Sequence, residues 1–247
     1  MEGPFDPRLV QRLRGARRVV ALTGAGISAE SGIPTFRDAQ NGFWARFRPE
    51  ELATPDAFRR DPQLVWDWYE WRRGLVANAA PNDGHQALAR LDSLVPDFTL
   101  ITQNVDGLHQ RAGSSTVIEL HGNIHRNKCF AEDVVVADWH DTDERPPRCP
   151  RCGAHLRPDV VWFGEALPPH ALAAAEAAAR ACDVLLSIGT SAAVFPAAQL
   201  PLTALQSGAM VVEVNKDPTP LTGVATFSLP GRAGAILPRL LNATWSD

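Results

Sequence analysis

Short apolar runs, closed off by small polar residues, recur along this chain. Runs of strand length fall at residues 19–23, 98–102, 117–120, 160–163, 184–188 and 211–214, and most end in Gly, Asn or Ser. Runs this short and this uniformly apolar predict strands buried on both faces, as parallel strands are. Helical patterns lie between several of them. Residues 84–94 follow the caps Asn82 and Asp83, and the alanine-rich stretch 169–181 opens on a proline. Strands alternating with helices predict an α/β fold with a Rossmann-like, doubly wound parallel sheet.

Two stretches break that rhythm. Residues 35–82 carry no strand pattern but a tryptophan-rich helical one at 62–79, with Trp66, Trp68, Tyr69 and Trp71. Residues 126–156 are polar, proline-broken and contain Cys129, Cys149 and Cys152. We expect these insertions to form a smaller domain, a helical module plus a zinc-ribbon-like cysteine module, over 35–82 and 126–156. The Rossmann-like domain then comprises 1–34, 83–125 and 157–247. A ligand cleft is expected between the two, outside the carboxyl ends of the strands.

With 247 residues, 45% of them hydrophobic and 21% charged, the chain can bury a full core. A net charge of -4 gives no basic footprint for nucleic acid, and the arginines near the start (Arg12, Arg14, Arg17, Arg18) read as a solvated helix face. No run approaches the roughly 18 apolar residues of a membrane span, and the run 19–22 is shorter than the apolar part of a secretory leader. A soluble cytoplasmic protein without membrane or nucleic-acid partners is expected, its oligomeric state left open. Four cysteines are too few for a disulfide framework, and three within one polar stretch point to a metal. Cys182, heading the run 184–186, reads as a buried core residue.

The first predicted strand ends in Gly24-Ala25-Gly26-Ile27-Ser28-Ala29, a G-x-G-x-x-A pattern whose glycines let the backbone turn tightly against a pyrophosphate. The usual acidic ribose partner about 20 residues on is absent, because Glu50 and Glu51 follow no strand. Gly189-Thr190-Ser191 and Asn215, at later strand ends, offer substitutes. Residues 28–38 are polar and proline-interrupted where a helix would ordinarily continue, so they predict a loop over the cofactor. Gln103-Asn104-Val105-Asp106 and His121-Gly122-Asn123 follow two further strands, which brings their polar groups to one sheet edge.

These motifs, together with Gly32-Ile33-Pro34-Thr35-Phe36-Arg37, Val160-Val161-Trp162-Phe163-Gly164-Glu165 and Val214-Asn215, resemble the sirtuin family in content and order, from about residue 19 to 235. The resemblance implies an enzyme that consumes NAD to deacylate protein lysines. In that chemistry the acyl oxygen attacks the anomeric carbon of the nicotinamide ribose, nicotinamide leaves, and water finally yields free lysine and 2′-O-acyl-ADP-ribose. It implies His121 as general base with Asn104 beside it. The NAD pocket would comprise Gly24, Ala25, Gly26, Ser28, Ala29, Ile33, Thr35, Phe36, Arg37, Trp44, Gln103, Asn104, Val105, Asp106, Gly189, Thr190, Ser191, Asn215, Lys216 and Ala233. Asp106 and the Ile33 main chain would recognise the carboxamide, Phe36 would shield the reacting face, and Arg37 would order the loop. The run 160–165, including Val160, Val161, Trp162, Phe163 and Gly164, would pair main chain to main chain with an acyl-lysine peptide.

The cysteine module departs from the family. Cys149 and Cys152 form one intact pair, but Cys129 is followed by Glu132 where the second cysteine of the other pair would stand. Three thiolates and a carboxylate suit tetrahedral zinc; Asp133 or His140 are alternatives for the fourth position, as is a module without metal. Tyr69 and Arg72, at i and i+3, share a helix face. From the helix pattern alone, Arg72 and Arg73 would be solvated. The Y-x-x-R pair and the flanking Leu52-Ala53-Thr54-Pro55 are similar to those of class III sirtuins, which implies a preference for succinyl, malonyl or glutaryl lysine. Arg72 at the bottom of an apolar tunnel would meet the acyl carboxylate, with the Tyr69 hydroxyl adding a bond. A plain deacetylase, an ADP-ribosyl transferase and a catalytically idle NAD sensor are the competing expectations.

Overall fold

A computed structural model of the chain describes residues 5–34, 47–139 and 144–245. Its strands are β1 (Arg18–Thr23), β2 (Asp97–Thr102), β3 (Val117–Glu119), β4 (Gly122–Cys129), β5 (Leu156–Val160), β6 (Val184–Ile188), β7 (Met210–Asn215) and β8 (Phe227–Pro230). Six of them form one sheet in the order β3-β2-β1-β6-β7-β8, every neighbouring pair parallel. Counted along the chain within that sheet, the order is 3-2-1-4-5-6, the doubly wound arrangement, and the direction of winding reverses between β1 and β6.

The helices are α1 (Pro7–Arg14), α2 (Ala25–Ala29), α3 (Pro49–Leu52), α4 (Pro55–Arg60), α5 (Pro62–Asn78), α6 (Asp83–Leu94), α7 (Leu108–Arg111), α8 (Pro169–Ala181), α9 (Leu200–Gln206) and α10 (Ala233–Trp245). The apolar strands show why both faces need covering. Val19 and Ala21 of β1 belong to a core with Leu9 and Leu13 of α1, Leu88 and Leu91 of α6, and Leu237 and Leu240 of α10. Val20 and Leu22 belong to the opposite core, with Ala171, Ala175 and Ala179 of α8 and Leu200 and Ala204 of α9. Side chains alternate across a strand, so consecutive apolar residues supply both layers. Alanine at every fourth position of α8 leaves a narrow stripe that lets the helix lie close against the sheet. Cys182 is buried in this second core, and Arg12 and Arg14 of α1 are exposed beside buried Leu9 and Leu13, as expected, whereas Arg17 and Arg18, also exposed, lie past the end of that helix, Arg18 opening β1.

One strand expectation fails. Residues 160–163 do not join the parallel sheet: β5 ends at Val160 and pairs antiparallel with β4 in a separate two-stranded sheet, Gly122 opposite Val160 and Cys129 opposite Leu156. Beyond Val160 the chain turns, with Gly164 at φ +87 and the Glu165 carboxylate accepting the Trp162 amide N–H at 2.8 Å. Helix α5 starts on the Asp61 cap, which accepts from the Leu64 N–H. It is buried on more than one side: Trp66 packs with Cys129, Cys149 and Leu156, while Val65, Trp68, Tyr69 and Val76 pack with Ile33, Leu108, Val160 and Trp162. That double burial overturns the solvated reading of its arginines, since Arg72 is only 9% exposed and the Arg73 side chain 17%.

Candidate active site

The winding reversal brings the ends of β1 and β6 together, and two glycine turns meet there. The Gly24 N–H donates to Ile188 O at 3.0 Å and the Gly26 N–H to Gly189 O at 2.8 Å. A Cβ on Gly26 would stand 2.7 Å from that carbonyl oxygen, and one on Gly189, which has φ +58, would stand 2.5 Å from the Ile27 nitrogen. Only glycine permits this backbone-on-backbone packing. The result is a crevice floor of main chain and small residues, which fits a dinucleotide's pyrophosphate. Neighbouring strand ends are tied in: Asn215 Nδ2 donates to Thr190 O at 3.0 Å and Gln103 Nε2 to Thr190 Oγ1 at 3.1 Å. Lys216, exposed, follows Asn215, and Ala233 is buried at the start of α10. The α2 helix stops after Ala29, as its sequence predicts.

Beside the floor lies a buried polar network. Asn104 Nδ2 donates to Gly24 O at 3.0 Å and to Ser28 Oγ at 3.1 Å, and Ser28 Oγ donates to Asp106 Oδ2 at 2.7 Å. The Leu108 N–H donates to the other carboxylate oxygen. Asn104, Ser28 and Asp106 are thereby held in fixed orientations, each under 10% exposed. Ile33 is buried nearby in the small core, against which Val105 packs.

His121 stands just past β3, with Nδ1 2.8 Å from Gln103 O. A carbonyl only accepts, so Nδ1 carries the hydrogen and Nε2 keeps its lone pair. Burial pushes the His121 pKa below its ordinary 6.5, partly offset by the bond to Gln103. The imidazole is therefore neutral near pH 7, as a general base must be.

Tyr69 and Arg72 are both buried on α5, Tyr69 in the same core as Ile33 and Trp162. Each bears electrostatically on the other, and Asp106 also acts on Arg72. The Arg72 guanidinium is 5.1 Å from the Trp68 ring, and burial lowers its pKa. Trp162 donates its indole N–H to the Tyr69 hydroxyl at 2.9 Å. The run after β5 is less open than a free strand edge. Val161 N–H donates to His121 O and Phe163 N–H to Ala53 O, both at 2.9 Å, so peptide pairing would fall to other main-chain groups. Val160 and Trp162 are buried, and Phe163 is 48% exposed.

The cysteine module gathers Cys129, Glu132, Cys149 and Cys152 with their ligand atoms all within 4.8 Å of one another. Three sulfurs and one carboxylate oxygen at such spacing fit a tetrahedral zinc. Gly153, at φ +76, closes the turn with its N–H on Cys149 O, and Arg151 holds Glu132 at 3.2 Å. Asp133, an alternative fourth ligand, instead pairs with Lys128 at 2.6 Å. His140, and the expected cofactor residues Thr35, Phe36, Arg37 and Trp44, lie outside the described residues.

Two features escaped the sequence pattern. Arg157 is buried and bonded to Glu165, although it sits in a polar stretch that gives no such signal. His85 and His109 lie buried with ring centroids 4.8 Å apart, and His109 Nε2 is 2.9 Å from Thr23 Oγ1. Spacing alone does not mark them, since they come from different helices.

The sequence profile of the Sir2 family matches residues 24–196. An NAD-dependent protein deacylase of Pyrobaculum aerophilum is 53% identical over 229 residues, covering 93% of this chain and 92% of that one. One of Pseudomonas aeruginosa is 53% identical over 241 residues, covering 94% and 96%. A crystal structure of a Sir2 homologue with NAD superposes with TM-score 0.91 at 48% identity, covering 98% of this chain and 94% of that one. A Sir2 complex with p53 peptide and NAD+ gives 0.82 at 33% identity, covering 96% and 97%.

Proposed function

The chain belongs to the Sir2 family, and from that premise we propose that it removes acyl groups from protein lysines by consuming NAD, giving nicotinamide and 2′-O-acyl-ADP-ribose. The observation that carries the proposal is the placing of His121, its Nδ1 2.8 Å from the carbonyl oxygen of Gln103, a residue itself bonded to Thr190 of the glycine crevice. NAD, when bound, supplies an electrophilic anomeric carbon to the acyl oxygen. Gly24, Ala25, Gly26 and Ala29, with Gly189, Thr190 and Ser191, floor the phosphate site; Asn215, Lys216 and Ala233 flank its adenosine end. Asn104 and Asp106, oriented through Ser28, line the nicotinamide side with Ile33. His121 Nε2 takes the ribose hydroxyl proton, a role worth typically about 10²–10⁴-fold in rate. Peptide complexes of Sir2 proteins support acyl-lysine peptides as partners in the cleft.

The division into a Rossmann-like domain and a small domain draws support from a separate core around α4 and α5, although that core also takes in Ile33, Leu108, Ile124, Val160 and Trp162 from the stretches expected in the Rossmann-like domain, and β4 and β5 run across the seams expected near 125 and 156. Free cysteines suit the reducing cytoplasm. Among the described residues no helix is long and apolar enough to cross a membrane.

For the acyl group we propose a chain ending in a carboxylate, succinyl or malonyl, in preference to acetyl. The support is Arg72, a nearly buried cation next to the Tyr69 hydroxyl. Charge-assisted hydrogen bonds contribute about 1.5–3 kcal/mol, roughly one to two powers of ten in specificity. Steady-state kinetics on succinyl, malonyl and acetyl peptides test this. Wild type should favour succinyl by kcat/KM, and Arg72→Met should lose most succinyl activity while acetyl activity survives. Equal proportional losses would make Arg72 a structural residue of α5 and leave a plain deacetylase.

A further inference from the structure

Behind the acyl pocket, buried side chains form a relay that the steps above leave unused. The Trp162 indole N–H donates to the Tyr69 hydroxyl, and the two residues are 2% and 1% exposed. The Arg157 guanidinium lies over the Trp162 ring, 3.3 Å from its centroid. Arg157 is itself buried, its charge met by both oxygens of Glu165, and it donates to Val160 O at 2.6 Å. The same Glu165 carboxylate accepts the Trp162 main-chain N–H. Main chain and ring together therefore fix where the indole points.

Donor and acceptor chemistry then sets the direction of the Tyr69 hydroxyl. An indole N–H donates only, and so does a guanidinium. Trp162 fills the acceptor side of the phenol oxygen, and Arg72, the charged group that bears most strongly on Tyr69, offers no lone pair. Among the described residues no oxygen accepts the Tyr69 hydrogen. Burial pushes the Tyr69 pKa up to about 12, so the hydrogen stays on at any working pH. A ligand oxygen arriving beside Arg72 meets a hydroxyl already set to donate.

We propose that Trp162 is a positioning residue for acyl selectivity: its indole N–H holds Tyr69 as an oriented donor to the distal carboxylate of the acyl chain, and Arg157, stacked on the indole, strengthens that hold. A cation over the ring draws electron density from it and makes the N–H a better donor. An acetyl group ends short of the hydroxyl and gains nothing from the arrangement. The assignment rests on the acyl preference proposed above, which Arg72 and Tyr69 test independently.

The experiment compares the succinyl-to-acetyl ratio of kcat/KM in wild type, Tyr69→Phe, Trp162→Phe, the double variant, and a protein carrying benzothienylalanine at 162. That last residue keeps the shape of tryptophan and replaces the N–H by sulfur, which separates the donor from the packing if Trp162→Phe folds poorly. Loss of one oriented bond to a charged group should lower the ratio about tenfold in Tyr69→Phe. Both 162 variants should lower it by about three- to tenfold, through a raised KM for the succinyl peptide with little change in its kcat. In the Tyr69→Phe background the 162 substitution should leave the ratio where it was. An unchanged ratio with benzothienylalanine, alongside a lowered one in Tyr69→Phe, would overturn the role of Trp162 and leave the acyl preference standing. Additive effects in the double variant would also overturn it. A wild type without succinyl preference, or one that Tyr69→Phe and Arg72→Met both leave intact, would remove the acyl preference and this inference with it.

Discussion

At the scale of single residues, His121 shows how burial and one hydrogen bond set a chemical role. Its Nδ1 hydrogen is committed to Gln103 O, and burial keeps the ring neutral. His121→Ala should keep NAD binding and lose deacylation by about a hundredfold or more, read as nicotinamide release beside a calorimetric NAD titration. Near-normal turnover would remove His121 from the chemistry. The sign of the pH dependence follows from the lowered pKa. Protonation disables the base only below the ordinary histidine value of 6.5, so the acid limb of kcat/KM should lie under 6.5. A limb above it would mean that a different group titrates. The sequence marked His121 through its place after an apolar run, and Asn104 and Asp106 likewise. It could not mark Arg157, whose burial depends on the partner Glu165 eight positions on and on a tryptophan ring over which it lies. Nor did Arg72 and Arg73 read correctly from helix periodicity alone, because α5 is covered on more than one side.

At the scale of elements, apolar strands were easy to find and polar ones were not. β4 is the sequence Gly-Asn-Ile-His-Arg-Asn-Lys-Cys, yet Asn123, Asn127 and Lys128 are buried there. Their polar groups are satisfied locally: Asn123 donates to Glu119, Asn127 accepts from Arg73, and Lys128 pairs with Asp133. Without its partner β4, the run around Val160 looks like another core strand. β8 is short and half exposed, which leaves little apolar signal. The cysteine module carries a prediction of its own. Because a carboxylate oxygen is a harder and weaker zinc ligand than thiolate, the purified protein should hold zinc below full occupancy or lose it to a chelator. Glu132→Cys should retain it under the same treatment. Elemental analysis before and after chelation decides, and equal retention by both proteins would take Glu132 out of the ligand set. Absence of zinc after metal-supplemented expression, with the thermal midpoint unchanged, would mean that packing alone holds the module.

At the scale of the whole molecule, the parallel sheet and its glycine-closed strand ends were legible before the structure, whereas the strand order and the winding reversal between β1 and β6 were not. The joint between the two sheets was not legible. Arg126 spans it, 2.7 Å from Glu119 at the end of β3 and 2.8 Å from Asp159 in β5. Global stability should respond to the buried histidine pair below the glycine floor. Burial lowers His85 to about 4 and His109 to about 3, from an ordinary 6.5. The unfolded chain then binds protons more readily than the folded one below 6.5, so stability is complete above that value and drains away as pH falls toward 4. The combined effect is on the order of a few kcal/mol. Thermal melts from pH 7.5 to 4.5 should show the midpoint falling from the start of that window, before carboxylates titrate; a flat midpoint down to about pH 5 would contradict it.

The catalytic account meets its most direct test in one measurement: mass spectrometry of the products from a succinyl-lysine peptide incubated with the protein, with and without NAD. The proposed chemistry requires unmodified lysine peptide, nicotinamide and succinyl-ADP-ribose in equal amounts, and none of them without NAD. A peptide of unchanged mass, free succinate without the ADP-ribose conjugate, or ADP-ribose attached to the peptide would contradict it.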